Sequence, residues 1–557
     1  MQKRVIHPIA VKLLWSAWAA AILLAPLAPS SAVGQSPAAP AASIDAASID
    51  VVERILERGR KLETNHRWGE ALTHYEDAVR EYPDNRALKQ RLDLAKVYYD
   101  LTRRYADVSF RKLLVTTDQR EALDLHGEIL QKIESHYVDS PDYAALVRRG
   151  TLALDVALSE PEFVRRNLPD VPAGRIDEFR RELRTLNPGN VRNRGQARAA
   201  VARIAQYAQQ RLGIAPAAVI LEYTCGATGG LDPYSTFLTR DQLDEIYSQI
   251  EGNFVGLGIE LKAAGGALRI VNVITGSPAL RGGLVSGDTI IAIDGRSTAD
   301  LTTDQAANLL QGAEGSSVDL MLRSAAGGER RVRVRREHVE VPSVDDVKIV
   351  DRAAGIAYLN LTSFQKTTIR ELDAALWKLH REGMKSLVMD LRGNPGGLLT
   401  AAVDVADKFV ERGSIVSTRG RSSREDLNYS AHRVGTWRVP LVVLIDGDSA
   451  SASEIFAGAI RDHRRGTIVG QRSYGKGSVQ GIFPLGAGGS GIRLTTAKFY
   501  SPTGRAYSDV GVSPDVVVRR AAKPVVDSDD EQVAAAQQED AVLKAALQIA
   551  RQRLTQR

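Results

Sequence analysis

Among 557 residues there is a single cysteine, Cys225, which excludes an intramolecular disulfide and any cysteine-built zinc module. Histidine is also sparse, at nine residues, and none of them falls in the H-x-x-x-H spacing that a helical metallopeptidase centre needs. No metal and no cofactor is expected. Neither sign of charge dominates: 73 Lys and Arg against 67 Asp and Glu leave +6, and no concentrated basic stripe or recognition motif calls for a nucleic acid. At 44% apolar and 25% charged, the composition fits neither a disordered chain nor a multi-span membrane protein. The length is several times that of one domain, so a single module is excluded as well.

One long apolar run is present, from Leu13 to about Ala28, behind Lys3, Arg4 and Lys12. Charge followed by a short apolar stretch and the small residues Ser30-Ser31-Ala32 is the order of a secretory signal, and the run falls short of the roughly 20 residues of a membrane span. Residues 1–32 are therefore expected to be a signal peptide and 33–48 a Pro/Ala-rich spacer, with the mature protein exported to the periplasm. If the signal is not cleaved, the protein stays membrane-associated.

From Ile49 onward apolar residues recur at helical spacing, which predicts a helical region over 49–214 and a helical lead-in over 215–250. Within it Trp68-Gly69-Glu70-Ala71-Leu72, Tyr75, Ala78 and Pro83 follow the tetratricopeptide pattern, in which small residues let two antiparallel helices pack closely. Only one copy is convincing, too few for a solenoid, so the region reads as an accessory arm for a protein partner or for self-association. Leu231 to Leu238 forms a turn into the next domain.

Near Gly252 the period changes to alternation. Phe254–Leu261, Leu268–Ile274, Thr289–Ile293, Val318–Arg323 and Arg331–Arg335 read as strands, with one helix over Asp304–Gln311. Together with Val255-Gly256-Leu257-Gly258-Ile259, Gly276-Ser277-Pro278-Ala279 and Ile293-Asp294-Gly295, this small barrel-like domain, 251–336, resembles a PDZ domain of the kind attached to bacterial proteases. The resemblance implies that the backbone at Gly256, Leu257, Gly258 and Ile259 takes a C-terminal carboxylate while the strand edge pairs with an extended peptide. Over 337–522, strands such as Ile356–Asn360, Leu387–Asp390 and Leu441–Ile445 alternate with helices near Ile369–Arg381, Thr400–Glu411 and Ser453–Arg461. That order predicts an α/β core with a largely parallel sheet. Residues 523–557 are an acidic linker and a last amphipathic helix.

Two segments of the core carry chemistry. Asp446 to Glu454 is a run of small residues between an apolar strand and a helix, where an exposed serine would meet backbone N–H groups at the helix N-terminus. Gly470 to Gln480 places Lys476 between two glycines. It resembles a phosphate loop until Gly477 appears where Ser or Thr should hold magnesium, and strand-like residues follow where a helix is needed. A Ser/His/Asp arrangement through His463 fails on distance, because a helix over Ser453–Asp462 carries it about 18 Å from Ser451.

Ser449-Ala450-Ser451-Ala452-Ser453-Glu454, Tyr474-Gly475-Lys476-Gly477-Ser478-Val479-Gln480, Leu391-Arg392-Gly393-Asn394-Pro395-Gly396-Gly397, Leu494-Thr495-Thr496-Ala497-Lys498 and Pro502-Thr503-Gly504-Arg505 occur in this order. In these motifs the chain resembles the carboxyl-terminal processing peptidases, the tail-specific serine proteases, over about residues 215–520. The resemblance implies a multidomain α/β protein: a helical arm, a PDZ domain, and a crotonase-like serine protease core. It further implies Ser451 as nucleophile, Lys476 as general base and Gln480 as the residue orienting it, with an oxyanion hole from Gly397 and Ala452. The substrates implied are proteins bound by their C-terminal tails. A lysine accepts the serine proton only when neutral, so its pKa must fall from about 10.4 toward neutrality, which burial can supply. The competing readings are an inert peptide-binding scaffold and acyl-CoA chemistry on a crotonase-like core.

Overall fold

The computed structural model describes residues 46–518 and 540–556, apart from 187–188, 265–266, 300–308, 311, 313, 325–326 and 433. The expected signal and the expected spacer up to residue 45 lie outside the described residues, as does most of the helix expected over Asp304–Gln311; the last three spacer positions, 46–48, already belong to the helix Ala46–Thr64.

Trp68–Glu81 and Arg86–Ala106 form a helical hairpin. Ala71, Tyr75, Ala78 and Val79 recur on one face and are buried against Leu88, Leu92 and Ala95, and Asn85 caps the second helix by accepting from the Leu88 N–H at 3.1 Å. Trp68 stacks on Tyr98, ring centres 3.9 Å apart. Farther along, Pro216–Gly229 is apolar on nearly every side and runs buried between Gln119–His136, Tyr143–Ala157 and Arg194–Leu212.

The stretch expected as one strand, Phe254–Leu261, is two. Asn253–Gly256 pairs with Glu337–Glu340 in a separate two-stranded sheet, and Ile259–Ala264 opens the six-stranded sheet of the PDZ-like domain. The break comes at Gly258, whose φ of +78° turns the chain and whose Cα lies so close to Ser277 that a side chain would collide with it.

The core holds a six-stranded sheet in the order Val344–Asp351, Ile356–Leu361, Ser386–Asp390, Leu441–Ile445, Thr467–Gly470, Val516–Val517; all neighbours are parallel except the first pair. Alternate residues serve two faces. Leu359, Met389 and Val443 meet the helices Thr368–Arg381, Leu399–Asp407 and Ala452–Asp462, while Tyr358, Val388 and Val442 meet the closing helix Ala541–Thr555. Being covered on both sides, these strands read as continuous apolar runs. The expectation of a largely parallel core is incomplete, because Ser478–Pro484 and Gly491–Tyr500 belong to a second, antiparallel sheet with Gly413–Gly420, Asn428–Ala431 and Thr236–Leu238. Hairpin pairing between the first two settles their direction. The loop that leaves the carboxyl end of the parallel strand Thr467–Gly470 leads straight into Ser478–Pro484 of the antiparallel sheet, and open α/β sheets place their ligands at such ends.

Candidate active site

Strand Leu441–Ile445 ends in a turn knitted by Ser449, whose hydroxyl donates to the Leu391 carbonyl at 2.7 Å and accepts from the Asp446 N–H at 3.0 Å. Asp446 in turn accepts from the Gly393 N–H at 2.9 Å, and the Ala450 N–H donates to the Asn394 carbonyl at 3.1 Å. The 391–397 loop and the serine turn are thus one unit. Ser451 closes the turn at φ +55°, ψ −113°, a conformation that costs a non-glycine residue strain and is held only by such surroundings.

The helix Ala452–Asp462 starts at the next residue, so the Ala452 N–H has no intrahelical acceptor. Gly396 (φ +102°) packs so closely that a side chain there would strike Ser451 and the Ala452 nitrogen. Gly397, at φ +143°, forms an isolated bridge to Phe364, and a side chain would drive into the Phe364 carbonyl. Glycine is required at both positions, and the 396–397 backbone lies against the serine turn.

Lys476 reaches the same place from strand Thr467–Gly470 and is only 6% exposed. Burial, reinforced by the positive charge of Arg493, lowers its pKa to about 7, against the pull of Glu454 and Asp232. Its Nζ lies 4.8 Å from the centre of the Tyr234 ring.

Glu454 joins the two segments. One carboxylate oxygen accepts from the backbone N–H of Ser451 (2.9 Å) and of Lys476 (2.8 Å), and the other from the Ser473 hydroxyl and the Gly475 N–H, both at 2.6 Å. Its burial raises its pKa, while these four donors hold it down. No sequence motif assigns Glu454 a role, although an acid three residues after a helix-capping serine is the spacing of a capping box.

Gln480 donates to the Ser478 hydroxyl at 2.9 Å and to Thr495 Oγ1 at 3.4 Å, which fixes it on the antiparallel sheet just beyond the lysine. His463 caps the far end of the serine helix and bonds the Ser414 carbonyl at 2.7 Å. A cavity of about 740 Å³ opens beside the site, lined by Ala450, Tyr474 and Lys476 and, across from them, by Lys96, Asp100 and Arg103 of the helical hairpin. In the PDZ-like domain, the Leu257 carbonyl accepts from the Ala279 N–H and the Gly258 carbonyl from the Ile274 N–H, both at 2.9 Å. Ile259 pairs with Val273, and Gly256 lies in the separate strand paired with Glu337.

Residues 355–518 match peptidase family S41 and residues 269–324 a PDZ domain. The carboxy-terminal-processing protease of Bartonella bacilliformis is 39% identical over 298 residues, spanning 52% of this chain and 67% of that protein. The chloroplastic C-terminal processing peptidase of Tetradesmus obliquus is 33% identical over 300 residues, 51% of this chain and 64% of that protein. Among solved structures, the photosystem II D1 C-terminal processing protease aligns with 76% of this chain and 98% of its own, at 26% identity and a TM-score of 0.38. On its match to the family and its identity with the Bartonella protease, the chain belongs to peptidase family S41, among the carboxyl-terminal processing serine proteases.

Proposed function

We propose that this chain is an exported serine endopeptidase that takes protein C-termini on its PDZ domain and cleaves by a Ser451/Lys476 dyad. The observation that carries the reading is the shared Glu454 carboxylate. It makes the nucleophile turn and the lysine loop neighbours, and the lysine it fixes is dry enough to be neutral near physiological pH.

In this mechanism neutral Lys476 accepts the Ser451 Oγ proton as Oγ attacks the scissile carbonyl carbon. The Gly397 and Ala452 N–H groups receive the charge that develops on the carbonyl oxygen. Collapse breaks the C–N bond, and the Lys476 ammonium returns the proton to the leaving amine. Water then attacks the acyl-enzyme with Lys476 again as base, releasing the acid and restoring Ser451. Gln480 steadies the strand that follows the base. Gly256 to Ile259 would receive the substrate carboxylate, and the order of charged and apolar residues at 3–28 supports export.

Ser451→Ala and Lys476→Ala should each abolish cleavage of an unfolded protein substrate while leaving the melting curve cooperative, because nucleophile and base act as one unit. Cleavage at the wild-type rate by either folded variant would return the chain to a binding scaffold.

A further inference from the structure

Tyr234 belongs to the turn Leu231–Ser235, far from Lys476 in sequence, and the turn is fastened from three directions. Asp232 Oδ1 accepts from the N–H groups of Tyr234 and Ser235 at 2.7 and 2.8 Å. From the helical region, the Tyr137 hydroxyl donates to the Leu231 carbonyl at 3.0 Å and Lys96 Nζ to the Pro233 carbonyl at 3.1 Å. From the antiparallel sheet, Arg493 Nε donates to the Tyr234 carbonyl at 2.9 Å and the Thr495 N–H to the Ser235 hydroxyl at 3.2 Å. The carbonyls on both sides of the Tyr234 nitrogen are therefore held by cations, and its ring is presented to the Lys476 amine. The charged and titratable groups around that amine include Arg493 on the antiparallel sheet, Glu454 on the serine helix, Asp232 and Tyr234 on the turn, Tyr474 on the lysine's own loop, and Lys498 and Asp509, which line the same cavity.

We propose that Tyr234 is a positioning residue for the general base: its ring is the wall that keeps water from Lys476 Nζ on the side of the cavity, and the helical arm, through Lys96, helps hold that wall in place. The inference rests on Lys476 being the base. It also gives the arm a part in the chemistry, because Lys96 lies in the hairpin helix Arg86–Ala106, outside the segment matched to the peptidase family.

The two things a ring can do to an amine have opposite signs. Its face attracts the ammonium, so loss of that attraction alone would lower the pKa. Its bulk excludes water, so loss of the wall lets the ammonium be solvated and raises it. At Lys476 the second effect dominates, because the amine is buried.

The test is kcat/KM against pH from 5 to 10 for wild type, Tyr234→Phe, Tyr234→Leu and Tyr234→Ala, each checked for a cooperative melt. Tyr234→Phe keeps the wild-type limb. Tyr234→Ala moves it up by about one pH unit, which is about tenfold lower kcat/KM at pH 6, with the alkaline plateau within about threefold of wild type. Tyr234→Leu, gentler on folding, moves the same way by less. A limb unmoved or lowered in folded Tyr234→Ala and Tyr234→Leu overturns the proposal. An active Lys476→Ala variant instead overturns the dyad beneath it, so the two failures are distinguishable.

Discussion

Ser451 shows what the site costs one residue. Its φ of +55° is tolerated by glycine and disfavoured for any side chain with a Cβ. Alanine and glycine both remove the proposed nucleophile, yet Ser451→Gly should be more stable than Ser451→Ala by about 1 kcal/mol, since only the first relieves the backbone. Paired thermal melts check this, and equal stabilities would mean the turn is not strained.

Lys476 carries the larger cost. Its pKa in the fold, about 7, lies below the ordinary 10.5, so between those values the unfolded chain binds the proton that the folded chain has lost. Stability therefore rises with pH across that window, and the lysine penalises the fold by roughly 4 kcal/mol at pH 7. Lys476→Met should be inactive and more stable than wild type at pH 7, with the gain shrinking toward pH 10. Denaturant melts at three pH values measure it; a variant less stable at pH 7 would contradict the burial argument. Resemblance in the motifs 449–454 and 474–480 is what singled out Ser451 and Lys476 in the sequence. Glu454 and Tyr234 were not legible there, because their roles depend on which loops the sheet ends bring together.

Among the elements, alternating apolar strands and amphipathic helices announced the core from Ile356 onward, since a parallel sheet buried on both faces needs that composition. The antiparallel sheet was hidden because its strands have the same apolar content and differ only in partner. The closing helix Ala541–Thr555 was legible as amphipathic but without a role. In the structure it covers the rear of the sheet with Val542, Ala546 and Ala550. Its cap Asp540 bonds Arg392 of the 391–397 loop at 3.0 Å, and Arg392 is also held by Asp390. Val542→Asp buries a charge against Val442 and Leu444 and should cost about 3 kcal/mol. Loss of activity should follow loss of the fold, and a melt unchanged from wild type would mean that the helix contributes little to the core.

At the scale of the whole molecule, the helical hairpin lines the cavity beside Lys476, and the PDZ-like domain is inserted between the Tyr234 turn and the core that holds Ser451. A substrate captured by its tail would then be delivered to a site assembled from segments on both sides of the insertion. Amidating the substrate's C-terminus should raise KM or reduce activation, because the backbone at Gly256 to Ile259 would lose the carboxylate it is proposed to bind. Equal cleavage of free and amidated substrates would show that tails are not read. The central claim, acyl transfer through Ser451 with Lys476 as base, is tested most directly by trapping. Wild type, Ser451→Ala and Lys476→Ala are mixed with a slowly deacylated ester substrate, quenched in acid, and mapped by peptide mass spectrometry. A stoichiometric acyl adduct on Ser451 is expected in wild type and none in either variant. An adduct on another residue, or undiminished turnover by Ser451→Ala, would contradict it.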